Sequence, residues 1–156
     1  MISFISYLTI LIISFFFNIF PRKVSLLLGR CIGRMLYYII PIRKNVALKN
    51  IKDNFSQLNN KQHVEILKNT YIHFGMVFSD FLRQKQLNKK KIDKIVNIDC
   101  KTINILKANE GSIIMTGHLG NWEYFLPIFG LNDIKFSVVA QKIKNSYLNQ
   151  LFLKYR

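Results

Sequence analysis

Apolar side chains dominate the first 42 residues, in two consecutive runs. Residues 2–20, ISFISYLTILIISFFFNIF, carry no charge. As a helix at ~1.5 Å per residue this run would extend ~28 Å, close to the ~30 Å hydrocarbon core of a bilayer. Residues 21–42 are also largely apolar but contain Arg30 and Arg34, one helical turn apart. The pattern predicts a transmembrane anchor over 1–20 and an interfacial amphipathic segment over 21–42.

Basic residues follow the first apolar run and none precedes it. Pro21, Arg22 and Lys23 come directly after it. A signal peptide that is removed would have a basic start and a small-residue cleavage site, so an uncleaved anchor fits better. The positive-inside tendency places the rest of the chain on the cytoplasmic side of the membrane. A buried helix of a soluble protein is the alternative interpretation of this run.

Residues 43–156 begin with helical periodicity and then mix helical and strand-like segments. Helices are predicted at RKNVALKNIKDNF (43–55), over 61–83, at KTINILKAN (101–109), from the start of NWEYFLPIF (121–129) and at SYLNQLFLKY (146–155). SIIMT (112–116) and IKFSVVAQ (134–141) have the apolar, β-branched character of strands. The basic run over 85–94 is predicted to be a solvated connection.

Alternation of helix and strand indicates an α/β fold. The predicted architecture is an N-terminal membrane helix and helical segment, followed over 43–156 by the start of a parallel-sheet domain. Two strands cannot bury both faces of such a sheet. We therefore expect the domain to be incomplete and the chain to be a fragment.

The charge balance points to an anionic partner. Formal net charge is +15, from 23 Lys+Arg against 8 Asp+Glu. Nucleic acid, anionic lipid or an acidic protein would each suit it, and so would a compositional bias that only solvates the surface. The two cysteines and three histidines are too scattered to suggest a disulfide framework or a metal site. The chain has no Gly-rich phosphate loop and no G-x-S-x-G motif.

Candidate chemistry centres on SIIMTGHLGNWEYF, residues 112–125. His118 falls at the carboxyl end of a predicted strand, where active sites of α/β sheets gather. Gly120 lets the backbone turn sharply and leaves room for a ligand. With Asn121 as helix cap, Glu123 would lie in the first helical turn and could reach back to the imidazole.

A carboxylate that holds one imidazole nitrogen fixes the tautomer and leaves the other nitrogen as a base. Such a pair can take a proton from a hydroxyl group as its oxygen attacks a thioester. The alternative is that His118 is an ordinary loop histidine and Glu123 an ordinary first-turn acid. Trp122, between them, is by pattern more typical of a core residue than of a substrate contact.

Several stretches resemble one enzyme family. GHLGNWE (117–123) resembles the His-x-x-x-x-[Asp/Glu] acyltransferase motif in the form found in the lipid A late acyltransferases, the lauroyl and myristoyl transferase family. FPRKVSLLLGRCIGRMLYYI (20–39) resembles that family's N-terminal region with its paired Gly-Arg steps. RKNVALKNIKDNF (43–55) and VVAQKIKNSYLNQLFLKYR (138–156) resemble two further blocks, the latter following the motif.

The resemblance implies an acyltransferase on the cytoplasmic side of the inner membrane. The donor would be an acyl thioester on acyl carrier protein or coenzyme A, and the acceptor a hydroxyl group of a lipid A precursor. By resemblance, His118 is the general base, Glu123 its orienting partner, and Gly120 and Asn121 shape the substrate-binding turn. No metal or bound cofactor and no nucleic acid is implied.

This chain departs from the family pattern after the motif. Many members carry Tyr-Arg-Pro where this chain has Ala140, Gln141 and Lys142. Gln141 thus replaces an arginine that the resemblance would have bind phosphate or developing charge, and Lys142 is a candidate substitute. Because the family's later strands and motifs are also missing, we expect this chain by itself to be catalytically inactive.

Two alternatives remain beside the enzyme. One is a truncated, catalytically dead remnant of it. The other is a basic, membrane-associated protein that binds nucleic acid or anionic lipid, with the lysines over 89–94 as its footprint; it leaves GHLGNWE unexplained.

Overall fold

The structure, a computed structural model, describes residues 2–40, 42–108 and 113–155, with side chains from Phe4 onwards. Within these residues the α-helices are α1 (Ile2–Ile19), α2 (Arg22–Ile39), α3 (Lys44–Asn54), α4 (Asn60–Leu82), α5 (Lys89–Ile92), α6 (Cys100–Ala108), α7 (Phe125–Leu131) and α8 (Ser146–Tyr155). Two 3₁₀ turns, Gln84–Gln86 and Trp122–Tyr124, precede α5 and α7. The helices predicted from periodicity over 43–55, 61–83, 101–109 and 146–155 are thereby confirmed as α3, α4, α6 and α8; of the third, Asn109 lies outside the described residues.

The predicted parallel sheet is wrong. No segment of the described residues forms a β-strand. Residues 113–116 and 134–141, which carry the strand-like patterns, are irregular in the structure, and Ser112 lies outside the described residues. A strand exists only through hydrogen bonds to a neighbouring strand, so a β-branched pattern without a pairing partner gives no sheet. Most of their side chains are accordingly open to solvent, with Ile113, Met115 and Val139 at least 91% exposed, while Ile134 is buried.

The N-terminal membrane helix of the predicted architecture is not found. Among the described helices none is, by itself, long and apolar enough to cross a membrane; α2 and α3 meet the criterion only as a pair, bent by 98°. The apolar window of α1 runs from Phe4 to Ile19, which is short against the ~20 residues that a span requires.

The chain divides into two compact units. We call residues 15–82 the helical unit and residues 2–14 with 83–155 the motif unit. In the helical unit, small residues of α2 lie against α4. A Cβ atom added at Gly29 would be 2.6 Å from the Gly75 carbonyl oxygen and 3.0 Å from Ser79 Cβ. Glycine at the crossing therefore allows the two helix backbones to approach closely.

Polar contacts reinforce this helix crossing. Ser79 Oγ donates to the Ser25 carbonyl oxygen over 2.9 Å, and both side chains are fully buried. Arg22 donates two hydrogen bonds to Asp80, from Nε to Oδ1 at 2.9 Å and from Nη2 to Oδ2 at 2.7 Å. Because the Asp80 side chain is only 5% exposed, the paired guanidinium offsets the cost of burying its charge.

The motif unit has a hydrophobic cluster of its own. Its buried members are Ile92, Tyr124, Ile128, Phe129 and Ile134. Tyr124 ends the second 3₁₀ turn, and Ile128 and Phe129 belong to α7. The helix that follows the motif is therefore packed into this cluster. Ile92 corrects a further prediction: the basic run over 85–94 is not simply a solvated connection, because it forms α5 and buries this isoleucine.

Candidate active site

The predicted site residues lie on a turn between an exposed segment and a buried helix. Residues 113–119 are exposed and irregular, and His118 occupies a bend. Gly120 adopts φ +57°, the left-handed region that favours glycine. The sharp turn predicted at Gly120 is therefore present, and the 3₁₀ turn Trp122–Tyr124 follows it.

The imidazole of His118 lies against the indole of Trp122. Their ring centroids are 4.6 Å apart and the ring planes are inclined by 57°. His118 is exposed, whereas Trp122 is half-buried. Aromatic rings at this separation attract each other, so the indole orients an imidazole whose other side faces solvent. Sequence reasoning treated Trp122 as a core residue and did not foresee this contact.

Glu123 lies in the 3₁₀ turn directly after the bend, rather than in the first turn of an α-helix. Asn121 precedes the turn, but its side chain does not form the capping hydrogen bond that was predicted. Instead the Asn121 carbonyl oxygen accepts a 3.3 Å hydrogen bond from the Tyr124 amide. His118 and Glu123 thus sit on one short turn, and their direct pairing stays a prediction.

A glutamine from another part of the motif unit holds this turn. Gln84 Nε2 donates a 2.8 Å hydrogen bond to the carbonyl oxygen of Glu123. Gln84 is 7% exposed, and it starts the 3₁₀ turn that follows α4. Sequence reasoning missed it. The available signal was Pro127: a helical carbonyl usually bonds the N–H four residues later, and proline has none.

Gln141 and Lys142, the other predicted substrate-binding residues, are exposed on the irregular segment before α8. They border a shallow cavity of about 160 Å³ whose apolar wall includes Ile143, Phe152 and Leu153. This cavity combines one cation with an apolar surface. None of the contacts recorded among the described residues joins Gln141 or Lys142 to His118.

The start of α8 is fixed by capping. Asn145 Oδ1 accepts from the amides of Tyr147 and Leu148 at 3.1 and 3.2 Å, a side-chain N-cap. Asn149 Oδ1 accepts from the Ile143 amide at 3.0 Å, which ties the cavity wall to the helix. In the part of the chain that the structure describes, no three His, Cys, Asp or Glu side chains group closely enough to hold a metal ion.

The motif thus places an exposed histidine on a glycine turn, with a carboxylate-bearing residue five positions later. The sequence profile of the bacterial lipid A biosynthesis acyltransferases matches residues 2–156. The chain therefore belongs to the bacterial lipid A biosynthesis acyltransferase family, and the resemblance drawn from the motif is confirmed. Comparison with curated proteins and with solved structures gives no match.

Proposed function

We propose that this protein transfers a fatty acyl group from an acyl thioester to a hydroxyl group of a lipid A precursor, with His118 as general base. The observation that carries the proposal is the complete GHLGNWE motif within the family match over 2–156. Exposure of His118 on its bend supports it further, because a base must reach the hydroxyl group from which it takes a proton.

The chemistry requires one proton to move twice. The His118 imidazole accepts the hydroxyl proton as the acceptor oxygen bonds to the thioester carbonyl carbon. The tetrahedral intermediate then breaks its carbon–sulfur bond, and the imidazolium returns the proton to the departing thiolate. The products are an ester and a free thiol. Glu123 orients the imidazole and stabilises its protonated form.

The donor in this proposal is acyl carrier protein or coenzyme A, and the acceptor is a glycolipid. Both kinds of donor carrier and lipid A precursors are acidic, which suits a net charge of +15. Lys142 beside the apolar wall of the 160 Å³ cavity suits an acidic group that is joined to an acyl chain. In this proposal Gly120 and Asn121 shape the turn so that the substrate can reach the His118 imidazole.

We place the protein at the inner face of the inner membrane, and α2 supports this location. Its buried face is the helix crossing at Gly29, and the opposite face is apolar yet exposed: Leu27, Met35, Tyr38 and Ile39 are 46–69% exposed. Arg30 and Arg34 flank that face and are exposed as well. A helix with an apolar face and a basic edge fits the headgroup boundary of an anionic leaflet.

A second candidate, a chain that carries the motif without turnover, has its own supporting observation. The apolar segment leading to His118 is open, with Met115 93% and Leu119 85% exposed, so the described residues build no enclosed wall for an acyl chain there. The non-catalytic basic-surface alternative is less well supported. Lys89 already contacts Asp93 and Asn132, and Lys91 bonds the Gln86 carbonyl.

The discriminating experiment uses the purified chain in nanodiscs with labelled acyl thioester and a lipid A precursor. Wild type is compared with His118→Ala and Glu123→Gln. Transfer that falls ~10²–10⁴-fold in His118→Ala supports the enzyme and overturns the expected inactivity of the isolated chain. Background transfer by wild type supports the second candidate. Transfer that does not depend on His118 excludes it as the base.

A further inference from the structure

We propose that Gln84 is a positioning residue for the active-site turn, acting through the carbonyl group of Glu123. This inference rests on the proposed function, since it assigns a role within the same site. Gln84 is 34 residues before His118 in the chain and belongs to no motif singled out in the sequence.

One carbonyl group of the turn has no α-helical donor in the local sequence. In a helix, the carbonyl of Glu123 would accept from the amide four residues later. That residue is Pro127, which has no N–H group. Gln84 Nε2 donates to this carbonyl group, 2.8 Å from the Glu123 oxygen. Gln84, 39 residues earlier in the chain, thereby adds a long-range side-chain hydrogen bond to the backbone of the turn.

The orientation of the Gln84 amide follows from this contact. A flipped amide would bring two oxygens together, so Nε2 must face the carbonyl. Gln84 Oε1 is then buried and has no hydrogen-bond partner among the described residues. A buried acceptor without a partner is unfavourable. An apolar side chain of similar volume would fill the space better, so packing alone does not account for a glutamine here.

The hydrogen bond fixes the peptide unit from which the catalytic groups are arranged. Glu123 is the central residue of the 3₁₀ turn Trp122–Tyr124. The preceding residue carries the indole that lies 4.6 Å from the His118 ring. A rotation of the Glu123 peptide would move both the carboxylate and the indole relative to the imidazole. Gln84 therefore controls the geometry without contacting substrate.

Trp122 provides the test, because it is the single tryptophan of the chain. Acrylamide quenching of its fluorescence reports how well the turn is held. Wild type is compared with Gln84→Leu, which keeps the volume, with Gln84→Glu, and with Gln150→Leu as a control at an exposed position. We expect the quenching constant to rise about twofold in both Gln84 variants at pH 8 and to stay at the wild-type value in Gln150→Leu.

Gln84→Glu separates donation from packing. Its carboxyl group donates only when protonated, so its quenching constant should return to the value of wild type at the same pH as the pH falls to 5. Gln84→Leu should show no such return. A quenching constant equal to that of wild type in both Gln84 variants would overturn the proposal. So would a raised quenching constant in Gln84→Glu that stays the same between pH 8 and pH 5.

The catalytic consequence is measured on lipid A acylation in cells that make the protein. Gln84→Leu should lower the acylated fraction at least tenfold, since a misplacement of ~1 Å can cost ~10²-fold. Full acylation in Gln84→Leu overturns the positioning role if His118→Ala abolishes acylation. If His118→Ala leaves acylation unchanged, the proposed function fails instead, and the quenching result alone decides whether Gln84 holds the turn.

Discussion

The ring of His118 rests against the ring of Trp122, four residues later, across a turn made by a left-handed glycine. The centroids are 4.6 Å apart, and Gly120 between them has φ +57°. The contact leaves the imidazole accessible and limits its orientation. A general base needs both properties, because proton transfer requires access and a defined direction.

Removing the indole should free the His118 imidazole to rotate and so make it more reactive. We expect Trp122→Ala to raise the rate of carbethoxylation of His118 by up to about tenfold, since an aromatic pair stabilises by ~0.5–1.5 kcal/mol. Trp122→Phe should keep the rate within about twofold of wild type, because it retains a ring. Mass spectrometry gives the rate at His118 and, as an internal control, at His73. Equal His118 rates in all three proteins would show that the indole does not restrain the imidazole.

The helix crossing at Gly29 should not tolerate a side chain. Gly29→Ala would place Cβ 2.6 Å from the Gly75 carbonyl oxygen, so we expect a loss of ~1–3 kcal/mol in unfolding free energy through overpacking. Gly130→Ala is the matched control, because beyond its chain neighbours and its own helix backbone no atom lies within 4 Å of a Cβ there. It should stabilise by ~0.4–1 kcal/mol through the unfolded state. Urea denaturation gives both values, and equal behaviour of the two variants would contradict the crossing.

The stability of the N-terminus of α6 should fall as the solution is acidified. Hydrogen bonds from the Thr102 hydroxyl and then from its amide hold the pKa of the Asp99 carboxyl below its ordinary value. A lowered folded-state pKa stabilises the helix start above the unfolded value of ~3.9, and this contribution is lost as pH falls through the folded value.

Amide exchange at Thr102 measures this effect. Protection should be constant above about pH 4 and decline below it in the wild type. Asp99→Asn keeps an acceptor but does not titrate, so its protection should show no step. A step of the same size in both proteins would assign the transition to another group.

The basic edge of α2 should determine binding to anionic membranes. The double variant Arg30→Ala, Arg34→Ala should bind vesicles of phosphatidylglycerol and phosphatidylcholine about 30-fold more weakly, at ~1 kcal/mol per basic residue. Lys101→Ala, Lys107→Ala removes the same charge from α6 and serves as control. Wild type and variant should bind pure phosphatidylcholine equally. An equal loss in both double variants would show that net charge, rather than α2, governs binding.

The spacing of apolar residues predicted most helices of this protein, because helical periodicity depends only on residues close in sequence. The apolar positions of α4 recur at helical spacing, and Asn145 supplies the cap of α8 within the same segment. The sheet could not be predicted in this way, since the strand-like residues 113–116 and 134–141 need partners that lie elsewhere in sequence. Among the residues that the structure describes they have none, and the segments stay irregular.

At the candidate site, too, local features could be predicted from the sequence and a contact between distant residues could not. One short motif predicted the turn at Gly120, because the turn is local; the roles of His118 and Glu123 stay predictions. Gln84 was not found, since its hydrogen bond to Glu123 joins residues 39 positions apart. Pro127, which lacks the N–H that an α-helical Glu123 carbonyl would bond, was the one local signal, and it does not say which residue donates.

The central claim is that His118 is the base of a lipid A acyl transfer, and the composition of lipid A tests it directly. His118→Ala is introduced at the native gene in the cells that make the protein, with His73→Ala as the matched control on α4. Mass spectrometry of extracted lipid A should show the loss of one acyl chain in His118→Ala and an unchanged pattern in His73→Ala. Lipid A of identical mass in wild type and His118→Ala would contradict the account.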